Sequence, residues 1–216
     1  SQSYGPDMQS RKMSLLWQDG KLVSPGKILP GDIVHKGMRV WDPNRSKVAA
    51  LCHVCMEPPL CGARVLYLGA AAGSTVSFIS DYAEVVYAVE FSSRPVRNLV
   101  RLAQKRTNII PFFCDARYPE QYMPFVELVD IMIQDISQRD QADIAIKNLP
   151  MLKKGGSLIL FLKMLSMGVR TEKDVVIGTV RQMLEGVGIC VTNVLDIERF
   201  HTGHVVIWGI FEAKNE

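Results

Sequence analysis

The chain has 216 residues, of which 48% are hydrophobic, and its formal net charge is +3. The hydrophobic content excludes a disordered protein, and the length allows one main domain with a small appendage. No apolar run is long enough to cross a bilayer, and the polar residues 1–4 do not resemble a signal peptide. The sequence therefore predicts a soluble intracellular protein. Its small positive charge permits an anionic partner without requiring one.

The first 61 residues predict a lead-in, a small β-rich appendage and a linking helix. Residues 1–20 form the loose lead-in. Residues 21–42 contain three turn-forming pairs with glycine between short apolar runs, a pattern typical of short antiparallel strands. Ser46 is expected to cap the linking helix, and the Pro58 pair is expected to end it.

From residue 62 to residue 216 apolar runs alternate with helical patterns, which is typical of an α/β sheet. Strands are predicted over residues 65–68, 85–90, 109–114, 129–134, 157–162, 189–197 and 204–211. Helices are expected between consecutive members of the first six. The link before the last strand is too short for a crossover helix, so that strand should be antiparallel. This predicts the seven-stranded Rossmann-like sheet of the class I S-adenosylmethionine-dependent methyltransferases.

The turn after the first of these strands is rich in small residues. Gly69 and Gly73 have the spacing G-x-x-x-G, which differs from the G-x-G-x-x-G of dinucleotide-binding enzymes. Glycines let the backbone turn tightly and approach a ligand, and Ser74 or Thr75 is expected to cap the next helix. We therefore predict an S-adenosylmethionine-binding turn formed by Gly69, Ala70, Ala71, Gly73, Ser74 and Thr75.

Polar side chains end the other predicted strands, at the sheet edge where ligands bind in open α/β folds. Glu90 is expected to accept hydrogen bonds from the ribose hydroxyls of the adenosine cofactor, and Phe91 to lie against the adenine. Asp115, with Ala116, is expected to receive the adenine amino group. Each charge alone is compatible with a solvated strand end. Three further groups at this edge strengthen the case for a site: Asp135, Lys163 and His204.

Several segments, in the same order, resemble the fibrillarin family. They are Arg-Ser-Lys at 45–47, the strand and turn at 65–73, and residues 86–91, 108–111, 115–117 and 135–141. The resemblance extends from about Met38 to the C-terminus. Members of this family are the catalytic subunits of the box C/D ribonucleoprotein, which methylates ribose 2′-hydroxyls of RNA.

The resemblance implies a catalytic Lys-Asp-Lys-His tetrad at Lys47, Asp135, Lys163 and His204. A ribose 2′-hydroxyl must lose its proton as it attacks the methyl carbon, so a base and nearby cations both help. We expect Asp135 to accept a hydrogen bond from Lys163. Lys163 is the favoured base and Lys47 the group that holds a phosphate or hydroxyl, although the sequence does not decide which lysine is the base. Asp135 and Gln138 are also expected to contact the cofactor.

The chain departs from the family pattern at several places. Ala72 replaces a small polar residue in the glycine turn, and Arg139 replaces a proline in the segment after Asp135. His201 competes with His204 for the histidine position, but the valine-rich strand that follows favours His204. The first two substitutions leave open a structural subunit that transfers little or no methyl group.

Two further patterns have an ordinary and a functional interpretation. The spacing of Cys52 and Cys55, with Cys61 nearby, resembles part of a zinc site but lacks a second ligand pair, so we predict structural thiols and no metal. A basic set on one predicted helix face indicates a solvated surface or, alternatively, contact with RNA: Arg94, Arg97, Arg101 and Lys105.

As a fibrillarin-like protein, the chain is expected to use S-adenosylmethionine and to act on rRNA or tRNA. Its expected partners are a box C/D guide RNA, a target RNA, a Nop-family scaffold protein and a kink-turn-binding ribosomal-like protein, with no membrane. A methyltransferase with another substrate remains the alternative within this chemistry. The lack of an arginine-glycine-rich tail favours an archaeal, cytoplasmic protein, whereas a eukaryotic one would be nucleolar.

Overall fold

The computed structural model describes residues 14–164 and 170–212. Its strands are β1 (Leu16–Gln18), β2 (Lys21–Ser24), β3 (Val34–His35), β4 (Met38–Val40), β5 (Arg64–Leu68), β6 (Val85–Glu90), β7 (Ile109–Phe113), β8 (Val129–Gln134), β9 (Leu152–Lys163), β10 (Ile189–Asp196) and β11 (His204–Phe211). Its helices are α1 (Lys47–Val54), α2 (Ser74–Ser80), α3 (Ser93–Lys105), α4 (Gln141–Asn148) and α5 (Arg170–Gly186). None of these helices has the length and apolar character needed to span a membrane.

The main sheet has seven strands in the order β10-β11-β9-β8-β5-β6-β7. β11 is antiparallel to both of its neighbours, whereas β5, β6, β7, β8 and β9 pair in parallel. Successive buried residues of β5 enter different clusters, with Val65 and Tyr67 in one and Leu66 and Leu68 in the other. This alternation is expected for a strand that is covered on both faces, and it confirms the predicted seven-stranded sheet.

Several element bounds differ from those predicted. Between β7 and β8 the chain forms two 3₁₀ turns, Pro119–Gln121 and Met123–Phe125, in place of the expected helix. Pro124 has no N–H to donate to the carbonyl oxygen of Glu120, so an α-helix that begins at Pro119 cannot continue through it. A third 3₁₀ turn, Leu149–Met151, leads into β9, which begins five residues before its predicted start. α1 ends at Val54, before the proline pair that was expected to stop it.

The N-terminal appendage is a four-stranded antiparallel sheet in the order β1-β2-β4-β3. β1 lies within the predicted lead-in, so that prediction was wrong at residues 16–18, while residues 1–13 lie outside the described chain. Leu22 and Trp41 of this region belong to the same apolar cluster as β5. The appendage therefore shares its core with the main sheet, and the division at residues 61 and 62 stays a prediction.

A buried ionic network also joins the two sheets. The Arg39 side chain is 1% exposed and donates to Asp81, at the end of α2, across 2.7 Å. Arg39 also pairs with Asp32 at 2.9 Å, and Arg106 pairs with the other oxygen of Asp81. Removing one partner of such a network leaves a buried charge without compensation. The network therefore fixes the position of the appendage against α2 and α3.

Candidate active site

The glycine turn follows β5 and is shaped by backbone that only small residues allow. Gly69 has φ +87°, and a Cβ atom there would overlap the backbone carbonyl oxygen of Asp135. Gly73 has φ +93°, and its Cβ would lie 2.6 Å from the Leu102 side chain. Ala71 adopts φ +49°, which is uncommon for a residue with a side chain. Conformation therefore favours glycine at both positions, and at Gly69 the contact with backbone requires it as well.

The predicted cap of α2 was wrong. Gly73, in the left-handed region, occupies the N-cap position and makes no side-chain hydrogen bond. Ser74 is the first residue of the helix, and Thr75 donates its hydroxyl to Ser46 at 3.0 Å. Thr75 therefore connects the turn to the start of α1, where Ser46 is the predicted and observed N-cap.

The carboxylate of Glu90 is held at the end of β6 by two backbone donors. One oxygen accepts the N–H of Ala71 at 2.8 Å, and the other accepts the N–H of Ser92 at 2.8 Å. A carboxylate has about four lone-pair positions, so each oxygen retains capacity for another donor. The geometry fits the expected role of Glu90 towards a pair of ribose hydroxyls.

A cavity of about 230 Å³ opens at this edge of the sheet. Seven of the predicted cofactor residues line it: Gly69, Glu90, Phe91, Asp115, Ala116, Asp135 and Gln138. The remaining five do not: Ala70 is buried, Gly73 and Ser74 line a different cavity, Ala71 donates its N–H to Glu90, and Thr75 donates its hydroxyl to Ser46. Cys114 and Ser137, which are adjacent in sequence to Asp115 and Gln138, also line the cavity of about 230 Å³. The glycine turn, the carboxylates and the volume of this cavity fit an adenosine group.

Arg117 was not predicted as a site residue, yet it pairs with the Asp115 carboxylate that was expected to receive the adenine amino group. Its guanidinium donates to the Asp115 carboxylate at 2.9 Å, and its backbone N–H donates at 2.9 Å. Although burial by itself raises the pKa of Asp115, these bonds prevail and lower the pKa below its usual value. The Asp115 side chain therefore remains an anion, with an arginine beside it in the same cavity.

An ion pair connects the cavity to the start of α1. Lys47, the first residue of that helix, donates its Nζ atom to Oδ2 of Asp135 at 2.9 Å. Asp135 was expected to bond to Lys163, so that prediction was wrong. The reason is the position of α1, whose first residue is fixed by the Ser46 cap and reaches Asp135 from a segment remote in sequence.

The other two members of the predicted tetrad face each other on neighbouring strands. Lys163 ends β9 and His204 begins β11, and the antiparallel register makes them direct partners. Burial lowers the pKa of His204, and its further influences include the charges of Lys47 and Asp135. All four predicted groups therefore lie in one neighbourhood, with Lys163 exposed to solvent.

His201 makes a contact that sequence reasoning did not identify. Its Nε2 atom lies 2.8 Å from the carbonyl oxygen of Pro43. Because a carbonyl only accepts, this geometry requires a proton on Nε2. The ring also lies 6.2 Å from that of His204, at 81° between planes. His201 thus joins the loop before β11 to the loop that leads into Lys47.

The cysteines of the alternative zinc interpretation have unequal environments. Cys52 is buried in the core and Cys55 is exposed at the end of α1. Burial raises the pKa of Cys52 well above its usual value, which favours the uncharged thiol. A buried thiol in this state is a structural side chain rather than a thiolate ligand.

Residues 19–213 match the family model of fibrillarin. The fibrillarin-like rRNA/tRNA 2′-O-methyltransferase of Methanospirillum hungatei is 66% identical over 202 residues, which cover 93% of this chain and 98% of the relative. The match extends over nearly the whole of both proteins.

Solved structures give the same result. Aeropyrum pernix fibrillarin, crystallised with natively bound S-adenosyl-L-methionine, is 33% identical with a TM-score of 0.78, over 88% of this chain and 89% of that one. A fibrillarin from a fibrillarin/Nop5p complex is 34% identical with a TM-score of 0.80, over 91% and 97%. These likenesses confirm the predicted fold, and the chain belongs to the fibrillarin family.

Proposed function

We propose that this chain transfers a methyl group from S-adenosylmethionine to ribose 2′-hydroxyls of rRNA or tRNA. The observation that carries the proposal is the double position of Asp135. It lines the cavity that fits an adenosine group and also accepts the hydrogen bond of Lys47. A methyl donor in that cavity and an acceptor beside Lys47 would therefore meet at one carboxylate.

Residues of the glycine turn and strand ends would hold the cofactor. Glu90 would accept the ribose hydroxyls, the exposed ring of Phe91 would lie against the adenine, and Asp115, which also pairs with Arg117, would accept the amino group. Gly69 keeps the backbone of the Asp135 segment close to the turn. When bound, S-adenosylmethionine supplies the methyl group, and its sulfonium loses its positive charge in the transfer.

The tetrad would prepare the acceptor hydroxyl. Lys47 already donates to a carboxylate and is oriented by it, so its ammonium is placed to stabilise a developing oxyanion or a neighbouring phosphate. Lys163 has no carboxylate within ion-pair distance among the described residues, and in its neutral form it is the favoured proton acceptor. His204, opposite Lys163, holds the hydroxyl between them.

The assembly is part of the proposal. A related fibrillarin has been solved with Nop5p, which supports docking of this chain on a Nop-family scaffold. We further propose a box C/D guide RNA that selects the target and a kink-turn-binding ribosomal-like protein that anchors the guide. The relative from Methanospirillum hungatei, a methanogenic archaeon, supports an archaeal origin and a cytoplasmic location.

The test is reconstitution of the chain with scaffold, guide and target RNA, followed by measurement of labelled methyl groups on the target ribose. Asp135→Ala is expected to abolish transfer, because it removes the group shared by the two halves of the site. Unchanged transfer by this variant would refute the assigned site. Methylation of a base or a protein would instead indicate another substrate, and absence of cofactor binding by calorimetry would indicate a structural subunit.

A further inference from the structure

A second cavity lies beside the candidate active site. It has a volume of about 410 Å³ and is enclosed by the N-terminal sheet, α2 and α3. Arg101 and Lys105 of α3 line it, one turn apart on one helix face. Arg94 and Arg97 of the same helix are exposed but do not line it. The structure therefore divides the basic set that the sequence placed on one face.

A third cation faces the same cavity from the loop before α1. Arg45 is exposed there, and within residues 14–164 and 170–212 no carboxylate lies at ion-pair distance from Arg45, Arg101 or Lys105. Solvated cations at a surface are common, but three that converge on one cavity form a concentrated positive field. We call the cavity lined by these three residues the basic groove.

The acidic side chains of the basic groove have internal partners. Asp32 is paired with the buried guanidinium of Arg39 at 2.9 Å. Asp42 accepts the backbone N–H of Asn44 at 2.8 Å, which holds it within its own turn. Asp42 stays an anion, but the three cations of the groove, which have no carboxylate partner among the described residues, outnumber it, so an excess of positive charge remains.

The floor of the basic groove is apolar but has no free aromatic platform. Phe78 stacks on Trp41 with 5.5 Å between ring centroids, and the Arg39 guanidinium lies 4.1 Å from the Phe78 ring. Proteins that bind single strands through their bases use aromatic faces open to those bases. This groove is instead suited to the sugar-phosphate backbone, whose contacts are independent of sequence.

The position of the basic groove relates it to the acceptor. Arg45 is two residues before Lys47, and Ala72 of the glycine turn also lines the groove. Ser46, which caps the helix that begins with Lys47, lies between the groove and the ion pair with Asp135. The basic groove therefore lies next to the Lys47 end of the acceptor cluster, with Ser46 between them.

We propose that the basic groove binds phosphates of the RNA strand that carries the acceptor ribose, next to the methylated nucleotide. The proposal rests on the proposed function, because it deepens the description of the same substrate. The committed ligand is the target strand, whose chain is continuous with the acceptor, and not the guide.

Binding of a short fluorescein-labelled single-stranded RNA to the isolated chain, followed by anisotropy at several salt concentrations, tests the groove without methyl transfer. Arg101→Ala with Lys105→Ala is expected to weaken binding about tenfold and to lower the salt slope by about 0.7 for each lost phosphate contact. Oligouridine and oligocytidine should respond alike. The matched control, Arg94→Ala with Arg97→Ala, removes the same charge from the same helix and should change affinity less than about twofold.

Equal weakening by the two double variants would overturn the proposal, since the general charge of α3 would then explain binding. No weakening by the groove variant would overturn it as well. In the reconstituted assembly the groove variant should raise the KM for target RNA and leave kcat and cofactor affinity unchanged. A loss of guide RNA binding with an unchanged KM would exclude the target strand as the ligand. An inactive wild-type assembly would refute the proposed function but not the binding result.

Discussion

The cofactor cavity and the acceptor cluster are built by different means. The cavity is formed mainly where consecutive parallel strands end, and backbone N–H groups fix its principal carboxylate, Glu90. The acceptor cluster joins side chains from the first residue of α1 and from three strand ends or starts: Lys47, Asp135, Lys163 and His204. A site fixed by backbone should tolerate side-chain changes around it, whereas a site fixed by side chains should be sensitive to each link.

The largest effect is expected at Gly69, where the turn that lines the cofactor cavity contacts the backbone of Asp135. Gly69→Ala forces a Cβ into the carbonyl oxygen of Asp135 at a φ that disfavours side chains. We expect a loss of about 3 kcal/mol or more in the free energy of unfolding, with loss of cofactor binding. Thermal or urea unfolding and calorimetry measure both.

Gly37→Ala is the matched control for this strain. Gly37 has φ +78°, but a Cβ there meets nothing within 4 Å. It should cost about 1 kcal/mol and leave cofactor affinity unchanged. Equal effects of the two substitutions would show that the contact with Asp135 is unimportant.

The next effect concerns the ion pair of the acceptor cluster. Lys47→Ala is expected to lower kcat about 100-fold, because a developing oxyanion loses its cation, with cofactor affinity little changed. Single-turnover methylation and calorimetry separate these quantities. Lys153→Ala removes a lysine paired with Asp130 at the start of β8 and should leave kcat unchanged. A large drop in cofactor affinity for Lys47→Ala would contradict the separation of the two halves.

A smaller effect is expected for Glu90, one of the carboxylates that line the cofactor cavity. Glu90→Gln leaves one oxygen but places an amide donor opposite a backbone N–H, so cofactor affinity should fall about tenfold. The kcat at saturating cofactor should change little. Glu127→Gln, an exposed carboxylate outside the cavity, is the control. If Glu90→Gln lowered kcat instead, the cavity would have a direct part in the chemistry.

Variants of His201 test whether its hydrogen bond to Pro43 positions the acceptor cluster. His201→Ala removes the bond to Pro43 and should lower kcat by about tenfold or less, because Lys47 and His204 lose their relative placement. His201→Gln retains an N–H donor at similar reach and should recover most of the activity. A variant that melts earlier but keeps kcat would assign His201 to stability alone.

The smallest effect concerns pH. Burial lowers the pKa of His204, so its folded form binds protons less readily than the unfolded chain. Stability should therefore fall as the pH drops below the unfolded pKa of about 6.5, and less steeply for His204→Gln. Unfolding curves between neutral and mildly acidic pH measure the difference. The same pH dependence in the two proteins would show that His204 does not contribute to the loss of stability at acidic pH.

Local patterns in the sequence were sufficient for much of the fold and of the cavity. The apolar runs identified the strands of the main sheet because the central strands are buried on both faces, and the short link before β11 required its antiparallel direction. Glu90 and Asp115 were predictable because parallel strands bring their carboxyl ends to one edge. Ser46 was predictable as a cap from its position alone.

Other features of the structure were not predicted from the sequence. Arg117 was not predicted because its pairing with Asp115, two residues earlier, depends on the conformation of the turn that contains both residues. The helix expected between β7 and β8 was wrong because Pro124 has no N–H with which to continue an α-helix from Pro119. β1 was missed because its pairing with β2, and not its composition, makes it a strand.

The sequence by itself determined the family, the sheet and the residue types of the site, since these follow from hydrophobic periodicity and from motifs that are continuous in the chain. Only the tertiary structure decided that Asp135 pairs with Lys47 rather than Lys163, and that Arg101 and Lys105 face a cavity while Arg94 and Arg97 do not. The physical reason is that hydrogen bonds and cavities depend on the relative placement of elements far apart in sequence. That placement is set by packing of the whole core, including the N-terminal sheet.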